Sequence, residues 1–153
     1  MLYPNYQHKD VEPSILQYWK DYDILATLKK RNKNGKPWSF LQGPPYTSGK
    51  VHLGTAWNTS LKDMVLRYKR SRGLDVWDRN GYDVHGLPTE HKVTEKFGLK
   101  FKEDIEKFGI AKFVSECKTF ALSMGEQMKH DFLRIGCTLD YSDSYMALTN
   151  EYM

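Results

Sequence analysis

Cysteine is scarce. The 153 residues hold two, Cys117 and Cys137, which form no Cys-x-x-Cys pair. That spacing excludes a disulfide framework or a zinc site of the usual kind and reads as two buried thiols in a reducing compartment. Long apolar runs are missing too. Nothing approaches the roughly 20 consecutive apolar residues that cross a bilayer, and the opening MLYPNYQHKD lacks the apolar stretch of a secretory signal. A cytoplasmic chain with no membrane partner is expected. There is no internal repeat and no low-complexity tract. Charge of one sign is also in short supply: 23 basic against 19 acidic residues leave a formal +4, compatible with contact to phosphates but too mild to demand it.

What is present is core-forming material. Hydrophobic residues make up 40% and aromatics 14%, with four Trp and ten Tyr, enough to pack one ordinary domain rather than a disordered chain. Helical and short extended segments alternate, which predicts an α/β fold. Pro13 suits a first helical turn, and Ile15, Trp19, Tyr22 and Leu25 to Leu28 recur at helical spacing until Asn32, Asn34 and Gly35. One amphipathic entry helix is predicted there. Pro37 to Gln42 reads as a buried strand breaking into Gly43-Pro44-Pro45. A helix should follow from His52 to Arg72, burying Leu53, Trp57, Leu61, Met64, Val65 and Tyr68 and ending at Gly73. Leu74 to Trp77 resembles a second strand, so strand, helix and strand fit a βαβ unit with parallel strands and a right-handed crossover. Further helices are predicted over Pro88 to Phe97 and from about Ala111 to Ile135. The second should bury Phe113, Cys117, Phe120, Met124, Met128 and Phe132.

The chemistry concentrates in GPPYTSGKVHLGT, residues 43–55, where a predicted strand end meets a predicted helix start. Ligands bind at that edge of open α/β sheets. A helix start offers unpaired N–H groups and partial positive charge, and Gly43, Gly49 and Gly54 let a phosphate approach. The segment departs from a P-loop, because five residues rather than four separate Gly43 from Gly49 and Val51 replaces the hydroxyl residue that would hold magnesium. His52 has two readings: a donor to a phosphate oxygen as charge shifts during transfer, or a helix-capping histidine beside a structural turn.

The same segment, with its tetrad His52-Leu53-Gly54-Thr55, resembles the first signature of class I aminoacyl-tRNA synthetases. The likeness extends through Leu61-Lys62-Asp63, Arg67-Tyr68 and Arg70-x-x-Gly73 to the run Gly81-Tyr82-Asp83-Val84-His85-Gly86-Leu87-Pro88-Thr89-Glu90, and back to Tyr18-Trp19. The Asp-x-His-Gly-Leu-Pro wording looks like the isoleucine branch, with the valine branch as runner-up, and residues 46–55 look archaeal in type.

The resemblance implies the amino-terminal half of a Rossmann-like nucleotide-binding catalytic domain with parallel strands, over residues 37–153. An N-terminal helical extension at 1–36 and additional helices would accompany it. It implies ATP with Mg2+ as substrate complex, isoleucine and isoleucine tRNA as partners, adenylate formation and transfer to the tRNA 3′ end, and no metal site in this stretch. Gly43 and the Pro44 carbonyl would border the amino-acid pocket. Asp83 would receive the substrate ammonium by a charge-assisted bond. His52, Gly54 and Thr55 would contact ATP, with His52 and Thr55 in catalytic roles. Thr55 stands where the family usually has a second histidine, so it can hydrogen-bond but cannot carry positive charge.

Other readings of single residues sit beside these. Asp83 could be a turn carboxylate paired with a backbone N–H, and His85 a buried histidine holding the loop; function is favoured for the first and structure for the second. Lys69, Arg70 and Arg72 read as cations complementing a helix dipole more than as a tRNA contact. No Lys-Met-Ser-Lys-Ser-like segment, editing insertion or anticodon-binding region is found. The expectation is therefore a truncated piece with weak ligand binding and negligible aminoacylation by itself. A nucleotide-binding module and a basic tRNA-binding appendage remain the readings from other classes.

Overall fold

A computed structural model describes residues 6–149. Its first helices are α1 (His8–Asp21) and α2 (Ile24–Asn32), not the single predicted entry helix. Asp23 takes a left-handed conformation at φ 42° and ψ 54°, a state that aspartate tolerates better than most residues, and it bends the chain between the two. Pro13 lies inside α1 rather than in its first turn, giving up one backbone hydrogen bond.

The βαβ unit is present. Strand β1 (Pro37–Leu41) leads through α3 (Leu53–Ser71) to β2 (Asp75–Arg79). The strands pair in parallel, Trp38 with Val76 and Phe40 with Asp78, so these side chains share one face of the pleat. Trp38, Phe40 and Leu74 pack against Leu66, Val76 and Leu139. A second parallel pair joins β3 (Gly81–Tyr82) to β4 (Tyr145–Met146); neither two-residue strand was predicted. Between them run α4 (Leu87–Phe97), α5 (Lys102–Phe108) and α6 (Ile110–Arg134). Helices α4 and α6 match the expected segments, and α5 is additional. Phe113, Met128 and Phe132 of α6 are buried as expected, with Ala121 and Gly125 beside them. Cys137 is buried as well, whereas Cys117 is only half-buried; both are free. Among the described residues no helix is long and apolar enough to cross a membrane.

The predicted face of α3 is the wrong one. Leu53, Trp57, Leu61, Met64, Val65 and Tyr68 are all exposed, and the helix buries Thr59, Asp63, Leu66 and Arg70 instead. The cause is a hydrogen-bonded layer beneath it. Asp63 accepts from Arg67 Nε and from both the N–H and the hydroxyl of Thr138, each at 2.6 Å. Arg70 donates to Thr138 Oγ1 and to Asp78 Oδ1, both at 2.8 Å. Asp78 also accepts from the Asp140 N–H at 2.6 Å. Apart from Arg70 Nε, which has no partner among the described residues, the buried polar groups named here are paired, and that lowers the cost of enclosing them. Arg70 is therefore neither a surface cation nor a tRNA contact but part of this layer.

Candidate active site

The segment from Gln42 to His52 leaves the end of β1 and reaches the start of α3 tied down by hydrogen bonds along its length. Gln42 N–H donates to Arg79 O at 3.0 Å, and the Tyr145 hydroxyl donates to Gln42 O. Asp83 N–H donates to Pro45 O at 2.9 Å, and Thr47 N–H to Asp83 O at 3.0 Å. Val51 N–H donates to Asp131 Oδ2 of α6 at 3.1 Å. Asp131 is partly withdrawn from water, which opposes ionisation, yet the Val51 N–H, the Gln127 amide and His130 still hold its pKa below the usual value. Burial of Thr47 completes the anchorage.

These tethers bring together five of the six residues singled out in the sequence. Gly43, Pro44, His52, Gly54 and Thr55 line one cleft of about 300 Å3, together with Gln42, Pro45, Asn58 and Thr59. Asp83 does not line it. Its backbone is bridged to Tyr46, one step from Pro45, and its carboxylate accepts from the His85 N–H at 3.4 Å. That is the turn geometry of the structural reading, held by a long bond. His85 is exposed rather than buried, and its Nε2 lies 3.0 Å from Ala147 O, so it does fasten the loop.

His52 is the N-cap of α3. Its Nδ1 accepts from the Thr55 N–H at 3.3 Å, and its Nε2 lies 3.1 Å from Thr55 Oγ1. An imidazole accepting at Nδ1 carries its proton on Nε2, which it gives to Thr55 and thereby leaves the threonine hydroxyl proton to point elsewhere. The capping geometry expected as one alternative is thus realised, and it orients Thr55. Gly54 leaves room for it: a Cβ there would stand 3.2 Å from His52 Cε1 and 3.3 Å from Nδ1, close enough to push the ring by a few tenths of an ångström.

Two residues near the cleft were not picked out as site residues. Lys62 places its ammonium 3.3 Å from Gly43 O, and burial lowers its pKa. Gln42 is 1% exposed, and its amide oxygen has no partner among the described residues. Lys62 falls in the Leu61-Lys62-Asp63 stretch of the family likeness and Gln42 at the predicted strand end, but no spacing pattern marks either as a site residue. A larger cavity of about 560 Å3 lies away from this cleft, between α1, α2 and the body, lined mainly by Leu16, Trp19, Leu25, Leu28, Leu133 and Leu139. Its walls are mostly apolar, with Lys20, Asp23, Arg31, Arg67 and Arg70 also along them.

Comparison with known proteins matches the family described as tRNA synthetases class I (I, L, M and V) over residues 14–153. Among curated relatives, the isoleucine–tRNA ligase of Methanospirillum hungatei is 48% identical over 143 residues, covering 94% of this chain and 14% of that protein. The isoleucine–tRNA ligase of Archaeoglobus fulgidus is 45% identical over 153 residues, covering 100% of this chain and 15% of its own. The chain thus spans about one seventh of these relatives' length. A solved LeuRS from Agrobacterium radiobacter, in a ternary complex with tRNA and LeuAMS, shares the fold at a TM-score of 0.69. Its identity is 24%, over 97% of this chain and 17% of that one. With the family matched over nearly the whole chain and the fold shared, this chain belongs to the class I tRNA synthetases.

Proposed function

We propose that this chain forms the ATP-and-amino-acid half-site of an isoleucine–tRNA ligase, which joins isoleucine to ATP and passes it to the 3′ end of isoleucine tRNA in the cytoplasm. The observation that carries this reading is the single cleft lined by Gly43, Pro44, His52, Gly54 and Thr55, in a chain 48% identical to an isoleucine–tRNA ligase. Residues 1–36 act as a helical extension, and 37–153 as the first part of the catalytic domain.

The roles proposed for these residues rest on the family resemblance and on the shape of the cleft. Gly43 has no side chain to fill the cleft, and its carbonyl, with that of Pro44, borders the amino-acid pocket. Asp83 receives the substrate ammonium. Its present bond to the His85 N–H is long at 3.4 Å, which leaves carboxylate lone pairs for a shorter bond to a cationic donor. Gly54 gives ATP, arriving with Mg2+, close access to the start of α3. His52 holds Thr55 so that the threonine hydroxyl donates to a phosphate oxygen, steadying charge that grows at the α-phosphate as the carboxylate attacks. Isoleucine and valine, the standard illustration of a one-methylene difference, are poorly separated by binding alone, so a proofreading activity must accompany this site.

The test uses a chimera in which this chain replaces the matched region of the Methanospirillum hungatei ligase. ATP–pyrophosphate exchange should depend on isoleucine over valine and leucine and should vanish with Asp83→Ala. Preference for valine would move the chain to the valine branch. Nucleotide binding that is indifferent to isoleucine, without exchange, would leave only a nucleotide-binding module.

A further inference from the structure

The cleft holds no side chain of fixed charge: amides, hydroxyls, prolines, glycines and one imidazole line it. An amino acid enters such a site as a zwitterion. With its ammonium on Asp83, its carboxylate still needs a cation, because an ionised group taken from water is costly unless a partner meets it. Helix α3 brings one to the rim. Thr55 and Asn58 line the cleft, and Lys62, seven and four residues further along, follows on the same helical face. Its Nζ lies 3.3 Å from Gly43 O. A Cβ added at Gly43 would meet that same Nζ at 4.0 Å, so the ammonium stands beside the space that the missing side chain leaves. Lys62 is half-buried, and burial lowers its pKa. Among the described residues its hydrogen bond goes to a neutral carbonyl and no carboxylate pairs with it. A lysine ammonium has three N–H donors, so it can hold Gly43 O and an anion together.

We propose that Lys62 is an amino-acid-binding residue, whose ammonium takes the substrate carboxylate while Asp83 takes the substrate ammonium. The two residues meet the turn at its opposite ends. Lys62 touches Gly43, and the Asp83 N–H donates to Pro45 O at 2.9 Å. Two residues of chain span at most about 7 Å, the scale of one amino acid held between two hydrogen-bonding partners. Opposite charges set that far apart fix which way round a zwitterion lies, and with it which end of the substrate faces the start of α3. The inference rests on the reading of this cleft as an amino-acid pocket and goes beyond it by assigning the group that receives the carboxylate.

The test compares isoleucine with isoleucinol, which keeps the ammonium and the side chain but lacks the carboxylate, in the chimera described above. Lys62→Met should raise the KM for isoleucine in pyrophosphate exchange by about tenfold or more. The KM for ATP and the inhibition by isoleucinol should stay as they were, and Lys62→Arg should recover most of the loss. Unchanged isoleucinol binding also shows that the variant is folded. Equal losses for isoleucine and isoleucinol would mean that Lys62 only shapes Gly43, and would overturn the proposal with the isoleucine reading intact. An unchanged KM for isoleucine overturns it too. So does a rise in the KM for ATP instead, which would put the ammonium on a phosphate. A chimera that activates valine fails the isoleucine reading alone, and valine against valinol then decides the role of Lys62 in the same way. A folded chimera that binds nucleotide and no amino acid removes both.

Discussion

Arg70 in the last turn of α3 and Asp78 on β2 form an ion pair closed to water, with Nη2 2.8 Å from Oδ1 and side chains 3% and 0% exposed. Removing one partner strands the other charge. Asp78→Ala should cost about 3–5 kcal/mol by urea denaturation, whereas replacing both residues with apolar side chains of similar volume should cost clearly less. A double replacement as costly as the two single ones summed would show that the pair does not act as a unit.

Acid should loosen the contact between α2 and the body. Asp140 loses some solvent, which raises its pKa, but Lys29, the Ser142 side chain and the Ser142 backbone N–H outweigh that and bring it to about 2. A carboxyl group depressed in the folded state stabilises above its unfolded value, and that contribution is lost as pH falls through the folded one. The window here runs from about 4 down to about 2. Lys29→Met should raise the midpoint of acid unfolding, with little change from a distant exposed lysine replaced the same way.

The two thiols should differ in reactivity. Burial, with Asp63 adding to it, pushes Cys137 up to about 12, so its thiolate is rare at neutral pH and its sulfur is covered. Cys117 is also raised, by burial and then by Glu90 and Glu116, but it is half-exposed. With a thiol-specific reagent at pH 8, Cys117 should react at least tenfold faster, and urea should erase the difference.

At the start of α3, His52→Ala should cost about 0.5–2 kcal/mol as a lost helix cap, measured by chemical denaturation. In the chimera, Gly54→Ala should lower isoleucine-dependent exchange by crowding the imidazole, and Thr55→Ser should retain more of it than Thr55→Val.

The βαβ unit, α4 and α6 were legible because apolar spacing and Gly or Pro punctuation mark long elements well. The break at Asp23 was not, since neither Gly nor Pro marks it and the helical spacing runs through. Strands β3 and β4 are too short for alternation to register. The face of α3 misled for a physical reason: apolar periodicity tells which residues share a side of a helix, while the buried partners of Asp63 and Arg70 decide which side meets the body. In the cleft, the spacing of residues 43–55 located Gly43, Pro44, His52, Gly54 and Thr55. Lys62 and Gln42 depend on how α3 lies over the loop, which no local pattern reports.

The layer under α3 has a consequence for the order of events during synthesis. Asp63, Arg70 and Asp78 find their partners in Thr138 and Asp140, sixty to seventy-five residues further along. Gly81 is pressed so closely by the Tyr145 ring that a Cβ would stand 2.2 Å from it. While a ribosome has yet to release that later stretch, strand, helix and strand have been made and Arg70 can meet Asp78, but the Thr138 and Asp140 groups that complete the layer are missing. Residues 37–79 are therefore a motif without being a folding unit, and the cleft takes shape when Thr138 to Met146 emerge and close over what was made first.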